Sequence, residues 1–164
     1  MRKKPSVLLC IIVILLSFYA IAFSQERPKD FRGLKWGTHI SKVQGLALVA
    51  ELENGIKTYH RPSDKLEIGK GKVDDIVYVF KNQQLIEVIL SCKDYSQYLN
   101  LKSAFLDIYG SPDRVVNDKQ TKVIKYDWYA NKDDEANIEL RWIEWWEGYA
   151  TMKWKAALKK DAGL

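Results

Sequence analysis

The chain has 164 residues, with 26 Lys and Arg against 21 Asp and Glu, and only two cysteines. This length suits one domain. The small net charge gives no indication of the concentrated basic face that nucleic-acid-binding proteins usually present, so we expect no nucleic-acid partner.

The first 24 residues have the pattern of a secretory signal peptide. Basic residues at positions 2–4 precede an almost wholly apolar stretch from 7 to 23, and Ser24 closes it with a small side chain. Cleavage is predicted after Ser24, with cleavage after Ala22 as an alternative. An uncleaved membrane anchor is the second alternative, because the apolar stretch reaches the short end of the membrane-spanning range.

An exported protein, periplasmic or secreted, follows from this pattern, with one domain over residues 25–164. Without the signal segment the charged residues number 23 basic against 21 acidic. Only Cys92 remains, so no intramolecular disulfide can form. Its place at the end of an apolar strand pattern predicts a buried thiol.

The next segment predicts a short helix and a hairpin. Thr38 is a suitable N-cap, and apolar residues follow at helical spacing, which favours a helix over 39–46. Residues 46–62 then have the pattern of a hairpin, with Asn54 and Gly55 as a turn pair that tolerates positive φ.

A second hairpin is predicted over residues 73–92, with its tip at Asn82 and Gln83. We expect Val79 to lie opposite Ile86. Alternation then predicts two apolar faces, one made of Val77, Val79, Ile86, Val88, Leu90 and Cys92, and the other of Ile76, Tyr78, Phe80, Leu85 and Ile89. Two apolar faces indicate central strands that are covered at least in part on both sides.

The clearest helix is predicted after Asp94. Asp94 and Gln97 form a capping-box pattern, and Gly110 with Pro112 ends the helix. The buried stripe is expected to contain Tyr98, Leu101, Phe105 and Ile108.

The last third predicts a meander of three strands, over 122–130, 136–143 and 149–155. We expect Trp142 to lie opposite Ala150, with Trp142 and Trp154 in the core and a polar opposite face. The fold class that follows is α+β: an antiparallel sheet with two main helices packed on one face. It could be a tandem α-then-β repeat with half-repeats 31–92 and 93–158.

No residue set in the sequence carries the signature of an enzyme, a cofactor site or a metal site. Two histidines occur, His39 and His60, without a paired metal-ligand or phosphate-binding motif. We therefore predict a non-enzymatic protein with no cofactor and no metal. The enzymatic alternative is an acid–base hydrolase that uses Asp74, Glu87 or His60.

The aromatic residues near the chain end indicate a binding surface. Trp145 and Trp146 lie in or beside the predicted turn, where alternation cannot bury both. Exposed rigid aromatics are typical contact residues, so the predicted partner site contains Trp145, Trp146 and Tyr149, with Trp36 as a further member. The structural alternative is that Trp145 and Trp146 fold back over the end of the sheet, and that Trp36 is a core residue.

Two functions remain open. The first is binding or envelope assembly through contact with a protein partner. The second is a periplasmic carrier of a small apolar ligand, held between sheet and helix in a pocket lined by Tyr98, Phe105 and Trp128.

Two short motifs carry a resemblance to known exported proteins. The helix ending in "YGSP" (109–112), followed by "YDWYA" (126–130), resembles the outer-membrane assembly lipoproteins of the BamE/SmpA type. The layout is also similar to that of β-lactamase inhibitor protein, and "FRGLKWGTHISKV" (31–43) resembles small exported bacterial proteins. The resemblance implies an α+β envelope protein, although this chain lacks the lipid-bearing cysteine of the assembly lipoproteins.

Overall fold

The computed structural model describes residues 28–129, 136–143 and 148–154, and these residues form mainly strands. In the first half the strands are β1 Asp30–Phe31, β2 Leu34–Lys35, β3 Ala47–Glu51, β4 Ile56–His60, β5 Glu67–Ile68, β6 Gly71–Lys72 and β7 Asp75–Lys81. They continue with β8 Gln84–Cys92, β9 Arg114–Asp118, β10 Val123–Trp128, β11 Ala136–Ile143 and β12 Gly148–Trp154. One α-helix, α1, spans Tyr95–Tyr109 between β8 and β9.

Eight strands form one antiparallel sheet in the order β3-β4-β7-β8-β12-β11-β10-β9, and β1–β2 and β5–β6 form two small hairpins. The α+β prediction with two main helices is therefore wrong. The described part is mostly β, and α1 is its one α-helix. Because only the second half contains a helix of this kind, the predicted α-then-β repeat is wrong as well.

The predicted helix over 39–46 is reduced to one 3₁₀ turn, Ile40–Lys42. Val43 already has extended backbone angles, and Gly45 has a φ of 73°, so the chain turns into β3. Ile40 and Val43 pack against the core from this irregular segment. Apolar residues spaced three apart therefore cover the core here from a segment that is not an α-helix.

Both hairpin tips were predicted at the right residues. Asn54 and Gly55 have φ values of 59° and 70°, and Asn82 and Gln83 have φ values of 48° and 67°. Asn82 N donates to Gly55 O at 3.3 Å, so the two tips lie side by side.

The predicted register of β7 and β8 is wrong by one residue. Val79 lies opposite Glu87, and the register shifts between Val79 and Phe80, because Phe80 lies opposite Leu85. Ile86 is the extra residue of this bulge. A bulge moves the following residues to the other face, so Val88 and Leu90 share the core face with Tyr78 and Ile76.

Helix α1 confirms the prediction made from its cap. The Asp94 carboxylate accepts from Gln97 N at 2.8 Å, and Gly110 follows the helix with a φ of 67°. The buried stripe is shorter than predicted: Tyr98, Leu101, Ala104 and Phe105 are buried, whereas Ile108 is exposed.

The three strands of the meander are confirmed as β10, β11 and β12, but their exact pairing and one strand were not predicted. Trp142 lies opposite Gly148 rather than Ala150. A shift of two residues keeps every side chain on its predicted face. Strand β9, which pairs with β10 at the sheet edge, was missed.

The core lies between one sheet face, α1 and the N-terminal segment. Its largest fully buried side chains are Trp128, Tyr78, Tyr98, Phe80, Phe105, Leu85, Leu90, Leu101, Ile138, Leu140, Met152 and Val88. Cys92 is buried, as predicted. Among the described residues, no helix has the length and apolar character needed to cross a membrane.

A buried carboxylate fastens the N-terminal segment to this core. Asp64 accepts from the Tyr78 hydroxyl and from Arg61 Nε at 2.6 Å. The Arg32 guanidinium lies 3.5 Å from the same carboxylate and also donates to Glu67 O at 2.6 Å. The hairpins β1–β2 and β5–β6 are thereby tied to β7.

Candidate functional site

The predicted partner-binding residues do not form one surface in the described part of the chain. Trp145 and Trp146 lie outside the described residues, and their role stays a prediction. Trp36 is half-buried against the core, and its Nε1 donates to Pro28 O at 2.7 Å. Tyr149 lies on the opposite sheet face, beneath the Arg141 guanidinium at 5.5 Å.

The residues considered for acid–base chemistry have separate partners. His60 Nε2 lies 3.0 Å from Asp75 Oδ2. Asp74 accepts from Lys93 N at 2.7 Å. The Glu87 carboxylate pairs with Lys153 at 3.2 Å, and burial raises the pKa of Glu87 while the Lys153 ammonium opposes that rise. The structure therefore does not bring Asp74, Glu87 and His60 into one constellation.

The residues predicted to line a carrier pocket fill the core instead. Tyr98, Phe105 and Trp128 are all buried. Phe105 meets Trp128 edge to face at 5.9 Å, and Trp128 Nε1 donates to Gly110 O at 2.8 Å. These contacts anchor the C-terminal end of α1 on the sheet.

Helix α1 has one covered flank. A Cβ atom placed on Gly71 would lie 2.8 Å from the Leu101 Cα, and one on Gly69 would lie 3.4 Å from the Ala104 Cβ. Glycine is required at position 71 because the β5–β6 hairpin approaches the helix backbone this closely. Hairpin β5–β6 therefore closes this side of the helix.

The other flank of α1 faces β11 and β10 and carries exposed apolar side chains. Tyr95, Leu99 and Leu106 are exposed by 47%, 42% and 37%. Their spacing of four and seven residues places them on one stripe of the helix. Two contacts orient this stripe: the Tyr95 ring lies 5.0 Å from the Trp142 ring, and Lys102 Nζ lies 2.7 Å from the Tyr126 hydroxyl.

The sheet beside this flank continues the core face without a described element on top of it. Ile124 lies opposite Trp142, and Tyr126 lies opposite Leu140. Because directly opposite residues share a face, Val115, which lies opposite Tyr126, extends this face to the edge. Val115 is 54% exposed.

These two surfaces lie side by side and form the candidate site, which we name the apolar corner. Its members are Tyr95, Leu99 and Leu106 on α1, and Val115, Ile124, Tyr126 and Trp142 on the sheet. Monomeric proteins seldom expose contiguous apolar surface of this kind unless it contacts a partner or ligand.

Two polar groups stand within the apolar corner. Lys102 Nζ lies 4.4 Å from the centre of the Tyr126 ring, and no carboxylate of the described residues lies within ion-pair distance of it. The buried Tyr98 hydroxyl has no hydrogen-bond partner among those residues. Burial raises the pKa of Tyr98, and the neighbouring phenols of Tyr126 and Tyr95 raise that pKa further.

A separate cavity of about 370 Å³ opens near the two hairpin tips, and we name it the tip groove. It is lined by Ile40, Gly55, Lys57, Tyr59, Phe80, Asn82 and Gln83. Tyr59 meets Phe80 edge to face at 5.5 Å. The lining lysine is paired, since Lys57 Nζ lies 3.0 Å from Glu51, and that hydrogen bond raises the pKa of Lys57.

The opposite face of the sheet carries a ladder of ion pairs across β9, β10 and β11. Asp127 lies 3.0 Å from Arg114 and 3.2 Å from Lys125. Glu139 lies 2.7 Å from Lys125 and 2.8 Å from Arg141. The predicted polar face is confirmed, and its charged groups pair with one another, with Arg141 Nε left as a buried donor without a partner among the described residues. No group of three or more metal-ligating side chains occurs among the described residues.

Comparisons with known proteins leave the family open. No family model and no curated protein matches the chain. A solved structure of a DUF4309 family protein, YjgB, from Bacillus subtilis subsp. subtilis str. 168 matches with 17% identity over 87% of this chain and 97% of that chain. The TM-score is 0.40, and this likeness carries no argument about function. The resemblance to BamE/SmpA-type proteins and to β-lactamase inhibitor protein stays a prediction.

Proposed function

We propose that this protein is an exported, non-enzymatic binding protein that docks an envelope protein partner in the apolar corner. One observation carries the proposal: the exposed stripe of α1 stands beside core-facing strands that no described element covers. Burying such a stripe against a partner gains hydrophobic free energy.

The apolar corner has the composition of an interface centre. Tyr95 and Trp142 provide rigid aromatic area, and residues of these types dominate binding energy when a partner excludes water from them. Tyr95 is already fixed by stacking on Tyr98 at 5.8 Å. A preordered side chain loses little conformational entropy on binding.

Trp145 and Trp146 are included in this proposal because of their position in the sequence. They belong to the sequence between Ile143 and Gly148, three and four residues after Trp142, which is a member of the apolar corner. We propose that they extend the docking surface at this end. Trp36 and Tyr149 lie outside the apolar corner, because Trp36 packs on the core and Tyr149 faces the opposite side of the sheet.

Site-specific photo-crosslinking tests this function. A benzophenone amino acid at Leu99 lies in the apolar corner, and the same group at Leu66, which is 47% exposed, is the matched control. In the native host we expect Leu99 to give one adduct of defined mass, and Leu66 to give none. The adduct should disappear in Leu106→Glu at unchanged melting temperature. Equal adducts from both positions, or none from Leu99, would contradict the proposal.

The second candidate function is a small-ligand carrier, favoured by the tip groove. Its volume of about 370 Å³ lies within the usual range for small-molecule sites. We expect native mass spectrometry of protein from its own host to show a bound molecule that Phe80→Ala and Tyr59→Ala release. A spectrum of ligand-free protein would remove this candidate.

A further inference from the structure

We propose that Lys102 and Tyr126 are the polar anchor of the apolar corner, and that they bind a carboxylate carried by an amphipathic helix of the partner. This inference rests on the proposed function and names the chemistry of its partner. It specifies the charge and the secondary structure that the partner must present to a surface that is otherwise apolar.

The anchor consists of groups that already hold one another in place. Lys102 Nζ donates to the Tyr126 hydroxyl at 2.7 Å and lies over the same ring. An ammonium has three donor hydrogens, so two remain after this bond. The Tyr126 hydroxyl accepts from Lys102, and its own hydrogen is available to another acceptor.

A second observation at this point also indicates a missing partner. Tyr98 stands one helical turn before Lys102, so the two side chains are neighbours on α1. Its hydroxyl is buried and has no hydrogen-bond partner among the described residues. Buried hydroxyls are normally satisfied, and a bound acceptor would supply what this hydroxyl lacks.

The donor set fits a carboxylate better than other ions. A carboxylate carries one negative charge and accepts about four hydrogen bonds, which suits the Lys102 ammonium and the Tyr126 phenol. A phosphate group usually binds where several cations or an arginine fork meet, and the apolar corner contains one cation. A cationic ligand would be repelled by Lys102.

The shape of the apolar corner favours a helix as the occupant. A helix flank bounds it on one side and a sheet face on the other. This arrangement leaves a place where a second helix can pack beside α1. From Tyr95 to Leu106 the stripe is about 16 Å long at 1.5 Å per residue. A three-turn amphipathic helix covers that length with apolar residues every three or four positions.

Small fragments test the anchor independently of the partner. We would titrate the protein with 4-phenylbutanoate and with its neutral amide, and follow the NMR signals of Tyr126, Trp142 and Lys102. The carboxylate should bind about tenfold more tightly than the amide, as one charge-assisted contact provides. Lys102→Met should remove this difference, and Lys102→Arg should retain most of it. Equal binding of the two fragments to the parent protein would overturn the anchor.

Crosslinking from Leu99 and Leu106 tests the partner. In Lys102→Met the adduct should fall about tenfold, and in Lys102→Arg it should persist. If Lys102→Met leaves the adduct unchanged, the carboxylate anchor is wrong while the docking surface stands. If the parent gives no adduct, the proposed function fails, and the fragment titration still decides the anchor.

The same adducts distinguish a helix from an extended segment. Leu99 and Leu106 are two helical turns apart, about 10 Å. A helical partner should be crosslinked at two positions about seven residues apart, whereas an extended strand would give a separation of about three residues. The shorter separation would overturn the helical occupant.

Discussion

Gly148 lies directly against Cys92. A Cβ atom placed on Gly148 would stand 2.8 Å from the Cys92 Sγ, and that thiol donates to Gly148 O at 3.3 Å. The same position touches Trp142 Cε3 at 2.9 Å and Tyr98 Cδ2 at 3.0 Å. The missing side chain of Gly148 therefore makes room for the aromatic end of the apolar corner.

Gly148→Ala should destabilise the protein through this crowding. The new methyl group meets three neighbours at once, and overpacking of this kind costs about 1–3 kcal/mol. Urea unfolding measures the loss. Cys92→Ala removes one of the three obstacles, so the double variant should recover part of it. If Gly148→Ala were as stable as the parent, the neighbouring atoms would have moved away from the new methyl group, and the predicted crowding would be wrong.

Asp64→Asn should loosen the N-terminal segment. The substitution keeps the shape of the side chain but removes the negative charge that faces Arg61 and Arg32. It also directs an amide N–H group at groups that are themselves hydrogen-bond donors. Breaking a buried ion pair costs about 3–5 kcal/mol. We expect about 2–4 kcal/mol here, because both guanidinium groups keep some contact with solvent.

Tyr78→Phe is the matched control for Asp64→Asn. It removes one of the hydrogen bonds to Asp64 and leaves both ion pairs, so it should cost about 1 kcal/mol. Chemical denaturation of both variants gives the comparison. If Tyr78→Phe cost more than Asp64→Asn, the ion pairs would not be the main contribution of this carboxylate.

Alkaline pH should destabilise the fold through tyrosines that are buried or partly buried in the core. Burial raises the pKa of Tyr109 to about 12, whereas a tyrosine in the unfolded chain ionises near pH 10. Above pH 10 the unfolded state therefore loses a proton that the folded state keeps. The stability contributed by this group is complete below pH 10 and is lost as the pH rises from about 10 to about 12.

Tyr109→Phe isolates this contribution. Urea unfolding at pH 9, 10 and 11 should show a slope smaller by up to about 1.4 kcal/mol per pH unit than that of the parent. Burial also raises the pKa of Tyr78 and Tyr98, so a residual slope should remain. An unchanged slope in Tyr109→Phe would contradict the assignment.

Local signals in the sequence predict those parts of the fold that local contacts determine. Helix α1 follows from its cap at Asp94, and both hairpin tips follow from residues that tolerate positive φ. The bulge at Ile86 does not follow, because β8 is apolar on both faces and alternation cannot choose between two registers. Strand β9 was missed because its pairing with β10 depends on the sheet and not on its own polar composition.

The candidate site depends on tertiary placement to a greater degree. Residue type alone suggested Trp36 and Tyr149, but the two side chains lie on opposite faces of the sheet. Tyr95, Leu99 and Leu106 stood outside the predicted buried stripe of α1. Their exposure matters because β5–β6 covers the other flank of the helix, whereas no element of the described ranges covers β10 and β9 beside this flank.

Strand β3 should be a site of self-association that one charge can block. It is an edge strand of the large sheet, and Leu48 and Val49 are exposed by 56% and 51%. Open apolar edges pair with other strands unless charged residues, proline or a bulge protects them. Strand β3 contains no lysine or proline, and its protection is limited to the irregularity at Val49 and to Glu51 at its end. We expect Val49→Lys to shift sedimentation at high concentration from associated species toward monomer, at unchanged melting temperature. Lys70→Glu, an exposed charge change outside β3, is the control and should leave association as in the parent. Parent protein that sediments as a monomer at every concentration would contradict this prediction.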